Sequence, residues 1–310
     1  MKFEIAEQLL EHRKLTKLVQ TYVEPLPKLA DEKGRLHSSF NQIGTATGRL
    51  SSSNPNLQNI PIKSEEGILL RKGFVTEPGK KLLGIDYSQI ELRVLTEFTK
   101  DENLVKAYEE NQDLHEITAR KIFGIEDQIS VNRDQRTVAK IVNFSLIYGK
   151  TAFGLAKELK ISTKEATAYI DAYFSQYPRV KEFERETLEF AQEQGYVMTL
   201  FGRKREIEGI NSKNRTLKMQ AERTAVNTII QGTAAEIIKI AMVDIYQFIK
   251  SKEDIKLVLQ VHDELIFEVN EEKVAEYKEK IESLMISAVK FKNVHLEVNG
   301  EIGDSWADTK

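Results

Sequence analysis

The sequence contains no cysteine, so disulfide bonds and thiolate metal sites are both excluded. It also has no apolar run long enough to span a bilayer. The first residues, Met1 to Glu4, lack the apolar core of a signal peptide. These absences favour a cytoplasmic protein that does not insert into membranes.

An excess of positive charge is missing as well. Lysine and arginine number 45 against 48 aspartate and glutamate residues, and the net charge of −3 weighs modestly against a nucleic-acid-binding protein. A basic groove can nevertheless lie on an acidic body, and basic residues do cluster locally. The clusters are Arg133, Arg136 and Lys140, and then Arg203, Lys204, Arg205, Lys213, Arg215, Lys218 and Arg223. Judged by charge alone, such runs are typical of a solvated surface.

The length and composition indicate a soluble globular chain. With 310 residues, 41% hydrophobic and 30% charged, it can bury a large core and is expected to form more than one lobe. Helical spacing of apolar residues predicts an amphipathic helix over residues 5–30, which Pro25 and Pro27 end. Residues 101–222 are predicted to be mostly helical, and a helical pattern returns over 217–250.

The C-terminal part changes from a helical pattern to strand patterns. Two apolar runs, 256–261 and 265–269, flank the tripeptide His262-Asp263-Glu264, which predicts a β-hairpin with an acidic tip. A helix over 271–290 and a strand over 295–298 are predicted to close the chain.

One short stretch combines a strand pattern, a carboxylate and a helix start. The run from Leu82 to Ile85 is typical of a buried strand, and Ser88-Gln89-Ile90-Glu91 has the S-x-x-E form of a capping box. Asp86 lies between the two, where a carboxylate is rigidly held and can still face a cleft. Such a position can bind Mg²⁺ while leaving coordination positions for substrate phosphates. Taken alone, an aspartate at a strand end is more typical of ordinary turn chemistry.

The helix predicted over 133–148 carries Arg136, Lys140, Phe144 and Tyr148 at intervals of four. Since each step of four drifts by only about 40°, these side chains form one slowly turning stripe. An ordinary amphipathic helix does not explain why two cations come first and two aromatic rings follow. A nucleotide has a triphosphate at one end, which suits arginine and lysine, and a flat base at the other, which suits an aromatic ring.

Asp263 in the predicted acidic tip supplies a second carboxylate to pair with Asp86. An acidic hairpin turn is common by itself. The pair, however, suits a two-metal site in which ions about 4 Å apart activate a 3′-hydroxyl and stabilise a leaving pyrophosphate.

The segment 44–61 is rich in loop-forming residues. It also carries closely spaced hydrogen-bonding side chains that suit phosphate oxygens and base edges, namely Arg49, Asn56, Gln58 and Asn59. A plain linker is the alternative interpretation.

Together these motifs resemble those of family A DNA polymerases. The three central ones are Asp86 to Arg93, Arg136-x-x-x-Lys140-x-x-x-Phe144-x-x-x-Tyr148-Gly149, and Val261 to Glu264. The resemblance extends to Thr45–Ser52 and Gln231–Ala235 and covers essentially the whole chain. Because five motifs occur in the right order, chance agreement is negligible.

The resemblance implies an α+β fold, the polymerase right-hand fold with an antiparallel palm sheet and mostly helical fingers. The implied domains are a residual thumb base at 1–35, the palm at 36–97 and 223–310, and the fingers at 98–222. Relatives carry a full thumb preceded by an exonuclease domain, so this chain is expected to lack proofreading and 5′ nuclease activity. A weak grip on the duplex, low processivity and steep salt sensitivity are expected for the same reason.

The implied activity is DNA-templated addition of dNTPs to a primer 3′-hydroxyl with two Mg²⁺ ions, for which Mn²⁺ is expected to substitute. Asp86 and Asp263 would hold the metals together with the Tyr87 carbonyl, and Glu264 would support the site. Lys140 would also protonate the leaving pyrophosphate.

The resemblance also implies which residues contact the substrates. Those that would bind the incoming nucleotide are Arg136, Lys140, Phe144, Tyr148, His115, Gln89 and Glu91. Those that would contact DNA are Arg49, Asn227, Gln231 and His262 in the minor groove, and Arg223, Asn56, Gln58 and Asn59 along the backbones. The expected partners of this monomer are therefore primer–template DNA and dNTPs.

Three single positions carry further expectations. Glu91 either caps a helix or, as the family implies, closes the space that a ribose 2′-hydroxyl would need, and the two roles are compatible. Phe144, where some relatives carry tyrosine, implies poor use of dideoxynucleotides. Ser145 stands where many relatives have glycine and is expected to have little consequence.

Three alternative functions share some of these features. A single-subunit RNA polymerase shares the palm, but Glu91 and the Thr47–Arg49 segment argue against it. A metal-dependent nuclease would leave the Arg136–Tyr148 stripe without a purpose. A catalytically weak or dead core that binds primer–template DNA stays open, and it predicts DNA binding without nucleotide incorporation.

Overall fold

The computed structural model describes residues 4–62 and 64–309, which form two compact units. The first unit contains the described residues of Met1–Asp86, Gln247–Glu282 and Asn299–Lys310. The second unit contains Tyr87–Tyr246 and Ser283–Val298. Across the described residues, no helix is long and apolar enough to cross a membrane.

The secondary structure alternates between the two units. The strands are β1 Ser39–Asn41, β2 Ser51–Ser53, β3 Lys80–Tyr87, β4 Tyr196–Met198, β5 Lys204–Glu206, β6 Ile255–Val261, β7 Glu264–Asn270 and β8 Val298–Gly303. The α-helices are α1 Glu4–Leu18, α2 Pro25–Leu29, α3 Glu65–Lys72, α4 Ile90–Thr99, α5 Glu102–Glu109, α6 Leu114–Phe123, α7 Arg133–Ile147, α8 Ala152–Leu159, α9 Thr163–Gln176, α10 Pro178–Gln194, α11 Arg215–Ile249 and α12 Val274–Ser287. The described residues also form a π-helix, Val19–Val23, and two 3₁₀ helices, Glu271–Lys273 and Trp306–Thr309.

A four-stranded sheet lies at the centre of the first unit, in the order β6-β7-β3-β8. Strand β7 pairs antiparallel with both β6 and β3. The successive residues Leu82 and Leu83 of β3 are both buried, as is Ile85. Because neighbouring side chains of a strand point to opposite faces, β3 is covered on both sides of the sheet.

The core of the first unit joins segments that are distant in sequence. Tyr22 and Leu26 from the N-terminal helices pack in one cluster with Leu82 and Ile266 of the sheet and with Trp306 of the last 3₁₀ helix. The two ends of the chain therefore stabilise the sheet that carries Asp86.

The second unit is almost entirely helical because its sequence supplies many helix starts. Side-chain oxygens accept backbone N–H bonds at the N-termini of five consecutive helices, α5 to α9, and these residues are Asp101, Asp113, Asn132, Thr151 and Ser162. A second apolar cluster includes Ala191 of α10, Val197 of β4 and Ala225 of α11.

The predicted α+β class and the antiparallel sheet are confirmed, and the hairpin and helix α7 lie within a residue or two of their predicted bounds. Two predicted bounds were wrong. Pro25 does not end a helix but begins α2, because the first turn of a helix needs no N–H from that position. The last strand begins at Val298 rather than covering 295–298, since its glycines give it a weak strand pattern.

The predicted capping box at Ser88–Glu91 was also wrong. Helix α4 begins at Ile90, and its N-cap is Gln89, whose backbone is left-handed with φ of 52° and whose side chain makes no capping bond. Glu91 instead accepts a hydrogen bond from the hydroxyl of Tyr148. Glu91 therefore bonds to a residue distant in sequence and does not cap its own helix.

Buried strand β3 leads to a prediction about stability. Leu83 is 0% exposed, so Leu83→Ala should lower the free energy of unfolding by about 2–5 kcal/mol, through lost burial and the cavity left behind. Leu69 in α3 is 67% exposed, and the matched change Leu69→Ala should stay within about 0.5 kcal/mol. Urea unfolding of both variants tests this, and equal losses would contradict the placement of β3 in the core.

Candidate functional site

The pairing of β3 with β7 brings the two predicted metal-binding aspartates together. In that register Asp86 lies opposite Glu264, the first residue of β7, and Asp263 immediately precedes it. From ladder spacing and the Cα–Cα step, the Cα atoms of Asp86 and Asp263 are roughly 6 Å apart. Both aspartates are half-buried, whereas Glu264 is buried.

The turn that carries Asp263 is supported by a residue that the sequence reasoning missed. Gln260 is buried, and its side-chain nitrogen donates to the carbonyl oxygen of His262 at 2.6 Å. Gln58 in turn donates from Nε2 to the side-chain oxygen of Gln260 at 2.9 Å and to its carbonyl oxygen at 3.1 Å. His262 has a left-handed backbone with φ of 53°. The sequence signal for this role was that Gln260 is a polar residue inside the apolar run 256–261.

The donor atoms at this turn suit a hard cation. Within residues 4–62 and 64–309, no group of three or more histidine, aspartate or glutamate side chains is arranged to hold a metal ion. The candidate ligands are therefore the carboxylates of Asp86 and Asp263. Mg²⁺ commonly uses one or two carboxylates and completes its shell with waters and substrate phosphates, so this oxygen donor set fits it.

The other predicted DNA contacts of the first unit lie on its surface. Asn56, Asn59 and His262 are exposed, and Arg49 is half-buried in the loop between β1 and β2. The hydroxyl of Thr45 donates to the carbonyl of Arg49 at 2.7 Å and so holds the backbone of that loop. The amide nitrogen of Gln58 is engaged by Gln260.

Helix α7 in the second unit presents the predicted stripe. Arg136 and Lys140 are exposed, and Phe144 and Tyr148 are half-buried. The opposite face is buried through Ala139, Val142, Asn143, Ser145, Leu146 and Ile147. The cations are thus accessible, and the rings are held against the unit.

Arg136 has an ionic partner that the sequence reasoning did not foresee. Its Nε donates to Oδ2 of Asp113 at 2.5 Å. Burial opposes ionisation of Asp113, but the Arg136 bond together with backbone N–H bonds from His115 and Glu116 outweighs it and lowers the pKa of Asp113. An anion that binds Arg136 must therefore share this cation with Asp113.

His115, the further phosphate contact that the resemblance implies, is almost fully buried. Its Nδ1 lies 2.8 Å from the side-chain nitrogen of Asn143, and its ring centroid lies 5.9 Å from that of Phe144. Burial lowers the pKa of His115 to about 4; Asp113 opposes this shift, and Arg136 and Lys140 add to it. The imidazole is therefore neutral at pH 7.

Glu91 and Gln89 lie at the start of α4. Glu91 is buried, and its carboxylate accepts from the Tyr148 hydroxyl, so two predicted nucleotide-binding residues contact each other. Gln89 accepts a longer hydrogen bond, 3.4 Å, from the hydroxyl of Tyr108.

Ser145 makes a contact that a glycine could not make. Its hydroxyl donates to Glu158 of α8 at 3.2 Å, and Lys150 also donates to Glu158. Ser145 therefore links α7 to α8 on the buried face of the helix.

Helix α11 carries the remaining predicted DNA contacts. Arg223 is exposed, and Asn227 and Gln231 are half-buried. Oδ1 of Asn227 is buried and has no hydrogen-bond partner among the described residues. Gly149 has a φ of +62°, and a Cβ there would lie 3.0 Å from Cγ of Arg223. A glycine after Tyr148 therefore allows the left-handed backbone and leaves room for the side chain of Arg223.

Comparison with known proteins places these features in a family. A profile of DNA polymerase family A matches residues 1–308. The DNA polymerase I of Caldicellulosiruptor bescii is 47% identical over 311 residues, covering 100% of this chain and 36% of that protein. The thermostable DNA polymerase I of Thermus filiformis is 46% identical over 307 residues, covering 99% of this chain and 36% of that protein.

A solved structure is similar over nearly the whole chain. The polymerase domain of Pol1 from M. smegmatis, in complex with DNA primer-template and dNTP, has a TM-score of 0.92 and 40% identity. The match covers 98% of this chain and 53% of that one. The chain spans 36% of the length of the two curated relatives described above.

The burial of His115 predicts a dependence of stability on pH. With an ordinary pKa of 6.5 when unfolded and about 4 when folded, His115 binds a proton in the unfolded chain first as the pH falls. Stability is therefore lost between pH 6.5 and pH 4, by about 3 kcal/mol at most. Urea unfolding of the wild type and His115→Gln at pH 7 and pH 4.5 should show a smaller loss in the variant. Equal losses would contradict a buried neutral histidine.

Proposed function

The chain belongs to DNA polymerase family A, and from this premise we propose that it adds dNTPs to a primer 3′-hydroxyl under the direction of a DNA template. The observation that carries the proposal is the register of β3 and β7, which brings Asp86 beside Asp263. The relative whose complex with primer-template and dNTP has been solved supports the choice of substrates.

In this proposal Asp86 and Asp263 hold two divalent cations, Mg²⁺ or Mn²⁺, with the carbonyl oxygen of Tyr87 as a further ligand. Bound cations would activate the 3′-hydroxyl and neutralise charge on the leaving pyrophosphate. The pairing of Asp86 with Glu264 fixes where the two carboxylates lie, and cations held there would position the reacting phosphate. Glu264 supports them from its buried place opposite Asp86.

The stripe on α7 binds the incoming nucleotide. Arg136 and Lys140 are exposed cations and bind the triphosphate, and Lys140 donates a proton to the leaving pyrophosphate. Neutral His115 donates a hydrogen bond to a phosphate oxygen. Phe144 packs on the sugar and base, and Tyr148 stacks near the templating position.

The proposed DNA contacts use polar side chains, and among them the amide nitrogen of Gln58 already donates to Gln260. Asn227 contacts the minor groove alongside Arg49, Gln231 and His262, and its amide nitrogen would be the group that donates to a base acceptor. Minor-groove acceptors are nearly the same for all base pairs, so these contacts test pair shape without reading sequence. The exposed residues Arg223, Asn56 and Asn59, together with Gln58, bind the template and primer backbones.

The domain assignment rests on the same resemblance. We propose the palm at 36–97 and 223–310, the fingers at 98–222 and a thumb base at 1–35.

The proposal is tested by primer extension on a short primer–template at low salt with Mg²⁺, resolved on a denaturing gel. The 310-residue polypeptide should add template-matched dNTPs, a few per binding event, and should leave a mismatched 3′ end in place. Asp263→Asn should reduce the rate roughly a thousandfold, since metal stabilisation of the transition state is worth several kcal/mol.

The two possible outcomes of that assay distinguish a polymerase from a core that only binds DNA. Template-matched addition that is lost in Asp263→Asn supports the polymerase. Duplex binding without any addition would contradict it and favour a primer–template binding core.

A second prediction concerns the choice between deoxyribose and ribose. Glu91→Ala removes the carboxylate that Tyr148 holds in place and should lower the ratio of dNTP to rNTP incorporation by tenfold or more. Tyr148→Phe removes only the hydrogen bond and should lower the ratio less. Single-nucleotide kcat/KM values measure both effects, and an unchanged ratio in Glu91→Ala would refute the role of Glu91 in excluding ribose.

A further inference from the structure

A row of buried, hydrogen-bonded side chains begins at His115 and runs through the interior of the second unit. Nδ1 of His115 lies 2.8 Å from Nδ2 of Asn143, and Oδ1 of Asn143 accepts from the hydroxyl of Thr118 at 2.9 Å. The Thr118 oxygen lies 3.4 Å from the hydroxyl of Tyr177. All four residues are at most 2% exposed. Groups this deeply buried are costly to leave unpaired, so each bond constrains the next.

The direction of these hydrogen bonds follows from which groups can donate. The single hydroxyl proton of Thr118 is directed to the amide oxygen of Asn143, so the Tyr177 hydroxyl is left as the donor at its contact with Thr118. The bond from Thr118 turns the amide nitrogen toward His115, and a neutral imidazole nitrogen that accepts from it carries no proton. The proton of the ring must then lie on Nε2.

We propose that Asn143 and Thr118 are positioning residues that hold His115 as its Nε2–H tautomer, a neutral donor for a phosphate oxygen of the incoming nucleotide. The inference rests on the proposed function and adds two residues that the sequence motifs did not single out. Nε2 makes no hydrogen bond to the part of the chain that the structure describes, and Arg136 and Lys140 contribute positive charge around the ring.

The tautomer matters because the alternative one would repel the substrate. With the proton on Nδ1, the lone pair of Nε2 would face an anionic phosphate. A third cation beside Arg136 and Lys140 would be disfavoured by burial and by like charge. A fixed neutral donor supplies the hydrogen bond without either cost.

The tautomer can be measured directly, without any assay of activity. In the full chain labelled with ¹⁵N-histidine, long-range ¹H–¹⁵N correlation at pH 7 distinguishes a protonated ring nitrogen from an unprotonated one. The chain has five histidines, and His115→Gln assigns the His115 signals by their loss. The wild type should show Nδ1 without a proton and Nε2 with one.

Matched variants test what fixes the tautomer. Thr118→Val keeps the shape but removes the hydroxyl that orients Asn143, and Asn143→Leu removes the amide. Both should give mixed tautomers and raise the KM for dNTP roughly tenfold with a smaller change in kcat, as expected for a lost hydrogen bond to a charged group. Thr118→Ser should restore the wild-type tautomer and KM.

Thr167→Val is the control for the substitution itself. Thr167 is exposed on α9, and its hydroxyl donates only to the carbonyl oxygen one helical turn before it. This variant should match the wild type in both measurements. Unchanged signals from the other histidines show that each variant is folded.

The possible results separate this inference from the proposed function. An Nδ1–H tautomer in the wild type, or a pure Nε2–H tautomer in Thr118→Val, overturns the inference. A shifted tautomer with an unchanged KM overturns its role in nucleotide binding. If the wild type extends no primer, the proposed function fails, and the spectra still decide whether Asn143 and Thr118 set the tautomer.

Discussion

The antiparallel pairing of β3 with β7 is the constraint on which the carboxylate site depends. A slip of one residue would move every side chain of β3 to the opposite face and would separate Asp86 from the Asp263 turn. Close packing opposes such a slip, because the fully buried side chains of Leu83 and Ile85 in β3 and of Leu265 and Phe267 in β7 would not fit the space on the other face. The positions of the two aspartates are therefore fixed by apolar packing that takes no part in the chemistry.

Elements with a strong repeating pattern could be predicted from the sequence. The hairpin could be predicted because two apolar runs flank a polar tip, and α7 because its cations and rings recur at helical spacing. The bounds of strand β8 were predicted wrongly because its two glycines, Asn299 and Glu301 give no strand pattern. The start of α4 could not be predicted from Ser88 and Glu91, since the carboxylate of Glu91 is bonded to Tyr148, 57 positions away.

The types of residue in the candidate site were evident from motifs, but their hydrogen-bond partners were not. Arg136 pairs with Asp113 across 23 positions, His115 with Asn143 across 28, and Gln58 with Gln260 across 202. Periodicity describes which face of an element is buried. It does not describe which polar groups from separate elements meet, because that depends on tertiary packing.

In the proposed function the second unit would offer two kinds of donor to one anion, exposed cations and a buried neutral imidazole. Arg136 and Lys140 are exposed, so water solvates their charge before a substrate arrives. Protonating buried His115 costs more free energy, because desolvation and the two neighbouring cations both oppose it. A neutral side chain can still donate strongly to an anion if its proton is on the correct nitrogen. In that environment the hydrogen bond of Asn143 has an electrostatic consequence, because it places a donor where a further charge would be unstable.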